Sequence, residues 1–378
     1  MCHDFIIVGG GPTGSMAARI LANKGYNVMV LEEHSEVGKP VSCAGLVTER
    51  VIKISGVSND VIMNEIKGAF IYPPNGKEII IGGEKRQAVV IDRERFDKEM
   101  MEMAMAEGAE CKYEWKVRNA SKDNSIIVNG KEKIKSNYLI GADGARSTVA
   151  KIFHFPEVKE YISAMQTTAP FKMEQEYVKI FFGERIAPGF FAWIIPEGEK
   201  ARIGLGVKKG HSLKKHFLKF LKMIGVESKK INAGFIPTGM RKKIVYDRVA
   251  LVGDAAGQVK ATSGGGLYPG LLASKILGET CIKFFESKNL MQYEKNYMNN
   301  FGKELKKCWL MRKIFLGMDD KKLNMIFSLL DERDIEIINK YGDIDYPSLV
   351  AKKLIKSNLH PRLIKKLLNS EHDLIQEK

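Results

Sequence analysis

The sequence has few cysteines, no long apolar run, and no repeat or low-complexity tract. Its five cysteines are odd in number and widely scattered, which argues against a disulfide framework and against a CxxC metal site and favours a reducing cytoplasm. No apolar run reaches the ~18 residues that a membrane-spanning helix needs, and the first apolar stretch leads straight into a glycine-rich turn. We therefore expect a cytoplasmic protein without a metal centre, whose contact with any membrane is peripheral.

The composition is that of a folded protein with an excess of positive charge. The 378 residues, 44% hydrophobic and 28% charged, can bury a sizeable core and predict two closely joined domains. The net charge is +15, and much of the excess lies in the last third, where residues 349–356 and 363–368 place apolar pairs at helical spacing beside lysine pairs. Such helices either rest on an anionic lipid surface or pack on the protein with their lysines in water. We find no nucleic-acid recognition motif and expect no nucleic acid as partner.

Residues 4–14 carry the first informative motif, an apolar strand that runs into a glycine turn and then directly into a helix. In this motif Gly9 permits the tight turn, Gly11 lets the backbone approach a pyrophosphate, and Gly14 lets the helix pack on the strand. The backbone amides near Thr13 and Gly14 then point toward phosphate at the positive end of the helix dipole. The pattern predicts a dinucleotide-binding fold.

Two acidic residues extend this prediction. A second strand, residues 27–31, ends at Glu32, whose carboxylate suits a pair of ribose hydroxyls and opposes a 2′-phosphate, so FAD or NAD is favoured over NADP. We expect the neighbouring Glu33 to be a solvated charge. Residues 249–257 form another strand that ends at Asp254, which can reach ribityl or ribose hydroxyls. Together the two segments predict a flavin that is held at both ends.

The sequence resembles the archaeal FAD-dependent geranylgeranyl reductase family, which includes digeranylgeranylglycerophospholipid reductases, within the p-hydroxybenzoate hydroxylase-like flavoprotein fold. The resemblance runs over roughly the first three quarters of the chain. Besides the glycine turn, the motifs that carry it lie at residues 40–46, 91–97, 139–147, 253–267 and 188–196.

The fold that this resemblance implies is α/β: a discontinuous Rossmann-like FAD-binding domain, an inserted antiparallel β-sheet substrate domain and a helical C-terminal region. Short alternating strands around the turn at residues 73–76 and through residues 160–210 provide the inserted sheet. The predicted bounds are 1–65, 88–155 and 245–285 for the FAD-binding domain, 66–87 and 156–244 for the substrate domain, and 286–378 for the helical region.

The resemblance also assigns roles around the cofactor. It puts Cys43, with Ala44 and Gly45, beside the flavin ring, and it implies a cofactor contact for Val117. Arg93 would supply positive charge near the FAD phosphates.

Three further roles concern turns and helix starts. The backbone amides of Gly266 and Leu267 would meet the pyrimidine edge of the flavin, where a helix N-terminus favours negative charge. For Asp143, in a motif that also serves reduced-nicotinamide binding in the hydroxylases, we expect a structural role as a helix cap.

A third set of residues concerns the substrate. The segment 188–196 resembles the family's aromatic strand that lines a prenyl channel, and we expect Phe191, Trp193 and Pro196 to line it. The family commonly has tyrosine near the position of Phe191, so a polar contact is absent in this chain.

The function that the resemblance implies is reduction of isolated C=C bonds in geranylgeranyl chains of archaeal membrane lipids, with hydride from flavin N5. We expect Cys43 to order that face of the flavin and to take part in proton delivery. The electron donor would be a small redox protein or a diffusible reduced cofactor.

Three alternatives stay open. A flavin-dependent monooxygenase that uses NAD(P)H and oxygen shares the fold and the motifs. A halogenase is a further alternative, because residues 191–196 resemble the WxWxIP motif of that group. In this chain Phe191 replaces the first tryptophan of the motif. A non-catalytic membrane-associated carrier that retains FAD is the alternative outside the enzymes.

Overall fold

The structure is a computed structural model that describes residues 2–41, 43–120, 125–128, 132–228, 230–287 and 289–356. The strands in chain order are β1 Cys2–Val8, β2 Val28–Leu31, β3 Leu46–Val47, β4 Ile62–Ile66, β5 Gly68–Tyr72, β6 Ile79–Gly82, β7 Ala88–Ile91, β8 Glu110–Lys112, β9 Val117–Ala120, β10 Ser125–Val128, β11 Glu132–Gly141, β12 Glu160–Pro170, β13 Tyr177–Phe181, β14 Ala192–Glu197, β15 Lys200–Val207, β16 Asn232–Thr238, β17 Val245–Tyr246 and β18 Val249–Leu251. The α-helices are α1 Pro12–Ala22, α2 Glu49–Ser55, α3 Arg93–Ala106, α4 Thr148–Ile152, α5 Leu213–Met223, α6 Leu267–Lys283, α7 Met291–Tyr297, α8 Lys303–Leu316, α9 Asp320–Ser328, α10 Glu332–Tyr341 and α11 Pro347–Lys356. Two 3₁₀ turns, Asn59–Val61 and Gly253–Ala256, and a π-helical turn, Met298–Gly302, complete the list.

The described chain divides into two compact units. The first contains the residues up to Met63, Val89–Ala164 and Asn232–Trp309, and the second contains Asn64–Ala88, Met165–Ile231 and the residues from Leu310 on. The three predicted domains are defined by role, as an FAD-binding domain, a substrate domain and a helical C-terminal region. Their bounds therefore stay a prediction.

A parallel sheet forms the centre of the first unit. The order β18-β11-β1-β2-β8 is parallel throughout, and β17 joins its edge antiparallel. The second half of strand β1 is a continuous apolar run in which Phe5, Ile6 and Ile7 are fully buried, as expected of a strand covered on both faces. Helices α1, α3 and α6 pack together beside this sheet through buried side chains such as Met16, Phe96 and Leu271.

The strand register decides where the predicted motifs lie. Val8 pairs with both Leu31 and Gly141, and Gly141 pairs with Leu251. The carboxyl ends of β1, β2, β11 and β18 therefore lie at one edge of the sheet, the edge at which open α/β sheets bind their ligands.

The second unit contains a mostly antiparallel sheet in the order β15-β14-β13-β5-β6, in which only the β13–β5 pair is parallel. Helix α5 packs on this sheet through Phe217, Phe220 and Leu221, against core residues such as Ile203 and Leu205. The expected strands around residues 73–76 and through residues 160–210 are confirmed, and so is the helical pattern from residue 291 to 356.

The structure describes one of the two basic segments near the C-terminus. Residues 349–356 lie in α11, as predicted, and Leu349 and Ile355 are exposed. Residues 363–368 lie outside the described residues. Within the described part of the chain, no helix combines the length and the apolar character needed to cross a bilayer.

Candidate cofactor site

The glycine turn after β1 shows why two of its glycines are required by packing and one is not. A Cβ atom on Gly9, whose φ is +102°, would lie 2.5 Å from the carbonyl oxygen of Ala142, and one on Gly14 would lie 2.0 Å from the carbonyl oxygen of Gly9. A Cβ on Gly11 would meet no described atom within 4 Å. Gly11 therefore borders open space at the N-terminus of α1, where the free amides of the first turn favour an anion.

Glu32 follows β2 and is held against this turn. One carboxylate oxygen, Oε2, accepts a hydrogen bond from the amide of Gly10 at 2.8 Å, and Oε1 accepts one from the amide of His34 at 3.0 Å. The residue is 7% exposed, so these bonds fix its orientation. Oε1 also pairs with Nδ1 of His34 at 2.6 Å, so Oε2 is the oxygen that keeps a further acceptor direction for a hydroxyl group. Glu33 is exposed and pairs with Lys116, which confirms its expected role as a solvated charge.

A buried hydrogen-bond chain shapes the turn after β18. The amide of Gly253 donates to Oε1 of Gln258 at 2.7 Å, Nε2 of Gln258 donates to the hydroxyl of Tyr293 at 2.8 Å, and that hydroxyl donates to the carbonyl oxygen of Leu251 at 3.2 Å. Gln258 and Tyr293 are fully buried. This chain fixes the conformation in which the turn presents Asp254.

Asp254 presents a carboxylate without a hydrogen-bond donor among the residues that the structure describes. No hydrogen bond from the described residues reaches this half-buried side chain. Burial raises the pKa of Asp254 to about 6, although the positive charge of Arg93 opposes this shift. A Cβ on Gly266 would lie 2.9 Å from Oδ1 of Asp254, so the carboxylate also requires a glycine at the start of α6. A carboxylate of this kind fits the hydroxyl groups of a ribityl or ribose unit.

Arg93, the first residue of α3, joins three of the predicted segments. Its Nε and Nη2 atoms each donate to one carboxylate oxygen of Asp97 at 3.0 Å, and Asp97 is 6% exposed. Burial lowers the pKa of Arg93, but the charge of Asp97 and a hydrogen bond with Cys43 outweigh it, so the net pKa is raised. Arg93 therefore hydrogen-bonds Cys43 from a distant part of the chain, and its positive charge also acts on the carboxylate of Asp254.

The loop that carries Cys43 is fixed by short strand pairing. The amide of Gly45 lies 3.4 Å from Sγ of Cys43, and the carbonyl oxygen of Gly45 accepts from the amide of Ile91 at 2.9 Å. Gly45 has a φ of +70°, which suits glycine. Ala44 between them is half-buried. Pairing of β3 with β7 then holds the loop beside the start of α3.

The N-terminus of α6 lies against that of α1. The hydroxyl of Ser274 in α6 donates to the carbonyl oxygen of Thr13 at 2.9 Å, and a Cβ on Gly270 would lie 2.8 Å from Cγ2 of Thr13. Gly266 caps α6, so the amides of Gly266, Leu267 and the next residues have no intrahelical acceptor. Two helix N-termini therefore border the same site.

Two more predicted residues of the first unit have clear positions. Val117 is 5% exposed at the start of β9, two residues after Trp115, whose amide donates to the carbonyl oxygen of Glu32 at 2.8 Å. Asp143 accepts hydrogen bonds from the hydroxyl of Ser147 at 2.6 Å and from the amide of Val149 at 3.0 Å. Asp143 thus has a structural role at the start of α4, but the N-cap itself is Ser147, whose hydroxyl accepts from the amide of Ala150 at 2.9 Å.

The predicted substrate-lining residues belong to the second unit. Phe191 and Trp193 form a T-shaped pair with ring centroids 6.0 Å apart, and Phe190 stacks on Phe191 at 4.2 Å. Trp193 is 8% exposed and lies so close to Gly204 that a Cβ there would be 2.4 Å from the indole ring. Pro196 is buried in the same strand.

Sequence reasoning missed some of the residues that build the site. Asp97 follows Arg93 by four positions in a helix, a spacing that brings opposite charges together, so this partner was detectable. The role of Tyr293 had no local signal, because its partner Gln258 is 35 residues away.

The arrangement fits FAD: open space at the N-terminus of α1, a fixed carboxylate at Glu32, and a carboxylate without a donor at Asp254. The family model described as FAD binding domain matches residues 3–272. Over 399 residues the chain is 31% identical to digeranylgeranylglycerophospholipid reductase 2 of Methanopyrus kandleri, covering 97% of this chain and 98% of the relative. The chain belongs to the FAD-dependent geranylgeranyl reductase family.

Two further comparisons show similarity along nearly the whole chain and a shared fold. An uncharacterized protein of Methanocaldococcus jannaschii is 31% identical over 377 residues, which cover 94% of this chain and 95% of the relative. The crystal structure of a geranylgeranyl bacteriochlorophyll reductase-like protein from Thermoplasma acidophilum matches this fold with a TM-score of 0.83 at 23% sequence identity. The match covers 97% of this chain and 99% of the Thermoplasma chain. The predicted family, the fold class and FAD as the cofactor of this family member are confirmed.

Proposed function

We propose that the protein is an FAD-dependent reductase that saturates isolated C=C bonds of geranylgeranyl chains in membrane-lipid biosynthesis. The observation that carries the proposal is the arrangement at the carboxyl ends of β1, β2 and β18, where open space at Gly11, the fixed carboxylate of Glu32 and the carboxylate of Asp254 lie in a chain that belongs to this reductase family. Relatives named digeranylgeranylglycerophospholipid reductase suggest the substrate class.

The cofactor is held by residues of the first unit. The amides at the start of α1 bind the pyrophosphate, Glu32 and Asp254 accept hydrogen bonds from sugar or ribityl hydroxyls, and Arg93 adds positive charge. Cys43, Ala44 and Gly45 border the ring, Gly266 and Leu267 direct the amides of α6 at its pyrimidine edge, and Val117 completes the contact. When bound, FAD supplies a hydride equivalent from N5.

An isolated alkene has no carbonyl group that could polarise it, so the chain's own residues have to position it, exclude water and deliver one proton. Phe191, Trp193 and Pro196 offer the apolar surface for a prenyl chain. Cys43 orders the face of the ring and takes part in proton delivery. Each saturated bond consumes two electrons, which a small redox protein or a diffusible reduced cofactor returns.

Photoreduction tests the proposal. The purified protein is reduced by light under anaerobic conditions, and the flavin absorbance is then followed after addition of a geranylgeranyl glycerophospholipid in detergent. We expect stoichiometric reoxidation of the flavin and a mass increase of the lipid by two hydrogens per turnover. A flavin that stays reduced would support a non-catalytic carrier, and rapid NAD(P)H oxidation with peroxide formation in air would support a monooxygenase. Either result contradicts the proposed reaction.

A further inference from the structure

Helix α5 is firmly attached to the second unit by one of its faces. Phe217, Phe220 and Leu221 are at most 4% exposed and belong to the core that lies on the sheet. The hydroxyl of Ser212 accepts a hydrogen bond from the amide of Lys215 and so caps the helix. The opposite face is therefore held in a fixed position.

That opposite face carries lysine and apolar side chains in two parallel rows. Residues four apart lie above one another on a helix, so each row runs along the helix axis. Each row contains two lysines and one exposed apolar side chain: Lys214, Leu218 and Lys222 in the first row, and Lys215, Lys219 and Met223 in the second. Leu218 is 48% exposed and Met223 is 50% exposed.

The charges on this face have no ion-pair partner among the described residues. Helix α5 contains no acidic residue, and none of its four lysines forms an ion pair within the described part of the chain. Lys214 and Lys215 lie in the first turn, where the helix dipole disfavours positive charge, and Lys215 repels Lys219 across one turn. Attraction to an anionic surface would offset these unfavourable interactions.

We propose that this face of α5 docks the protein on an anionic lipid bilayer. The lysine ammonium groups pair with lipid phosphates, while Leu218 and Met223 enter the boundary between headgroups and acyl chains. The exposed apolar side chain that each row carries beside its two lysines favours a lipid surface over an acidic protein, because both Leu218 and Met223 gain an apolar environment. The proposal rests on the proposed function, since it is the prenyl lipid substrate that brings the enzyme to a bilayer.

Helix α11 offers the matched comparison. It also carries an exposed lysine pair four residues apart, Lys352 and Lys356, beside exposed Leu349 and Ile355. However, α11 has no buried residue that would fix its orientation, and its Lys353 lies over the ring of Tyr341 at 4.6 Å. We therefore assign the lipid contact to α5 and use α11 as the control.

Vesicle flotation of the FAD-loaded protein tests the proposal. We expect binding to phosphatidylcholine vesicles that contain phosphatidylglycerol and weak binding to phosphatidylcholine alone. The double variant K215Q/K219Q should lose about fivefold in affinity per lysine, while K352Q/K356Q stays within twofold of the unmodified protein. The variant L218S/M223S should weaken binding to the anionic vesicles while every lysine is kept. Circular dichroism and FAD content check that each variant is folded.

Several results would overturn the proposal. These are failure of the unmodified protein to float with anionic vesicles, unchanged flotation of K215Q/K219Q, or loss of flotation in K352Q/K356Q alone. A loss of the reduction rate with an acidic redox protein, without any change in flotation, would assign the face to a protein partner instead. Single-turnover lipid reduction in detergent is measured in parallel. If that reaction is absent while flotation depends on α5, the proposed function fails and the docking surface stands.

Discussion

Arg93 and Asp97 form a two-pronged ion pair one helical turn apart, with both N–O distances at 3.0 Å. Asp97 is 6% exposed and its pKa is raised by burial, while the charge of Arg93 works against that shift. The same guanidinium interacts with Cys43 and with Asp254. One helix start therefore serves the stability of the fold and the electrostatics of the cofactor site together.

The two roles of Arg93 can be separated. Arg93→Met leaves the buried carboxylate of Asp97 unpaired, and we expect the free energy of unfolding to fall by about 3 kcal/mol. The double variant R93M/D97L removes both charges and should recover most of that loss in urea unfolding. FAD affinity, measured by quenching of flavin fluorescence, should stay low in both variants. Full recovery of FAD affinity in R93M/D97L would show that Arg93 does not contribute to FAD binding.

Asp254 should make the FAD-free protein less stable as the pH rises. Its pKa is raised from 3.8 to about 6, so the folded chain keeps a proton that the unfolded chain has already released. The fold is therefore destabilised progressively through this interval, and the full penalty is present above it. We expect Asp254→Asn to stabilise the FAD-free protein at about pH 7 and to have little effect at about pH 4, in urea unfolding at both pH values. The same variant should bind FAD about 10- to 100-fold more weakly, because it removes a charged acceptor. Equal stability effects at both pH values would contradict the assignment of the pKa.

Substitution by alanine should affect the stability of the fold very differently at Gly11 and at Gly14. Gly14→Ala places a methyl group 2.0 Å from the carbonyl oxygen of Gly9, so we expect a loss of at least about 3 kcal/mol in the free energy of unfolding. Gly11→Ala meets open space and should change the stability of the FAD-free protein by less than about 1 kcal/mol. Its added methyl group should nevertheless weaken FAD binding, as measured by isothermal titration. Normal FAD affinity in G11A would mean that the pyrophosphate lies elsewhere.

Glu32 and Glu33 form a natural pair of variant and control. Glu32→Gln keeps an oxygen for the amide of Gly10 but loses the charge that we propose accepts from ribose hydroxyls, so we expect FAD affinity to fall about 10-fold or more. Glu33→Gln alters an exposed ion pair with Lys116 and should leave the affinity unchanged within error. The comparison is made by equilibrium titration of the two FAD-free variants. A similar loss in both would point to a general charge effect.

Cys43→Ala tests the proposed part of the thiol in proton delivery. We expect a normal FAD content and a single-turnover rate of alkene reduction that is at least about 100-fold lower, measured by flavin reoxidation. The exposed Cys2 supplies the control, and Cys2→Ala should keep the full rate. An undiminished rate in C43A would restrict Cys43 to ordering the ring.

Local patterns sufficed for the strands and turns at the ligand-binding edge of the sheet. The apolar run before Gly9, the strand before Glu32 and the strand before Asp254 are local features, and the register of β1, β2, β11 and β18 then brings their ends to one edge. The position of Val117 in a strand beside the Glu32 segment had no such pattern of its own. The roles of the predicted site residues stay predictions.

The features that sequence reasoning missed depend on distant contacts. The hydroxyl of Tyr293 binds Gln258 across 35 positions, and Ser274 binds Thr13 across 261 positions. A side chain that acts at such a distance leaves no periodic trace near its partner. The pair of Arg93 and Asp97 is different, because helical spacing alone brings the two side chains together.

The hydrogen bond between Gln258 and Tyr293 has a consequence for the order of events during synthesis. The nucleotide-binding strand and turn leave the ribosome first, yet the turn that presents Asp254 is secured by a tyrosine from near the end of the first unit. A nascent chain that does not yet include Tyr293 lacks the side chain that supports the turn presenting Asp254. Stable capture of the yellow prosthetic group therefore belongs to the late stage of translation.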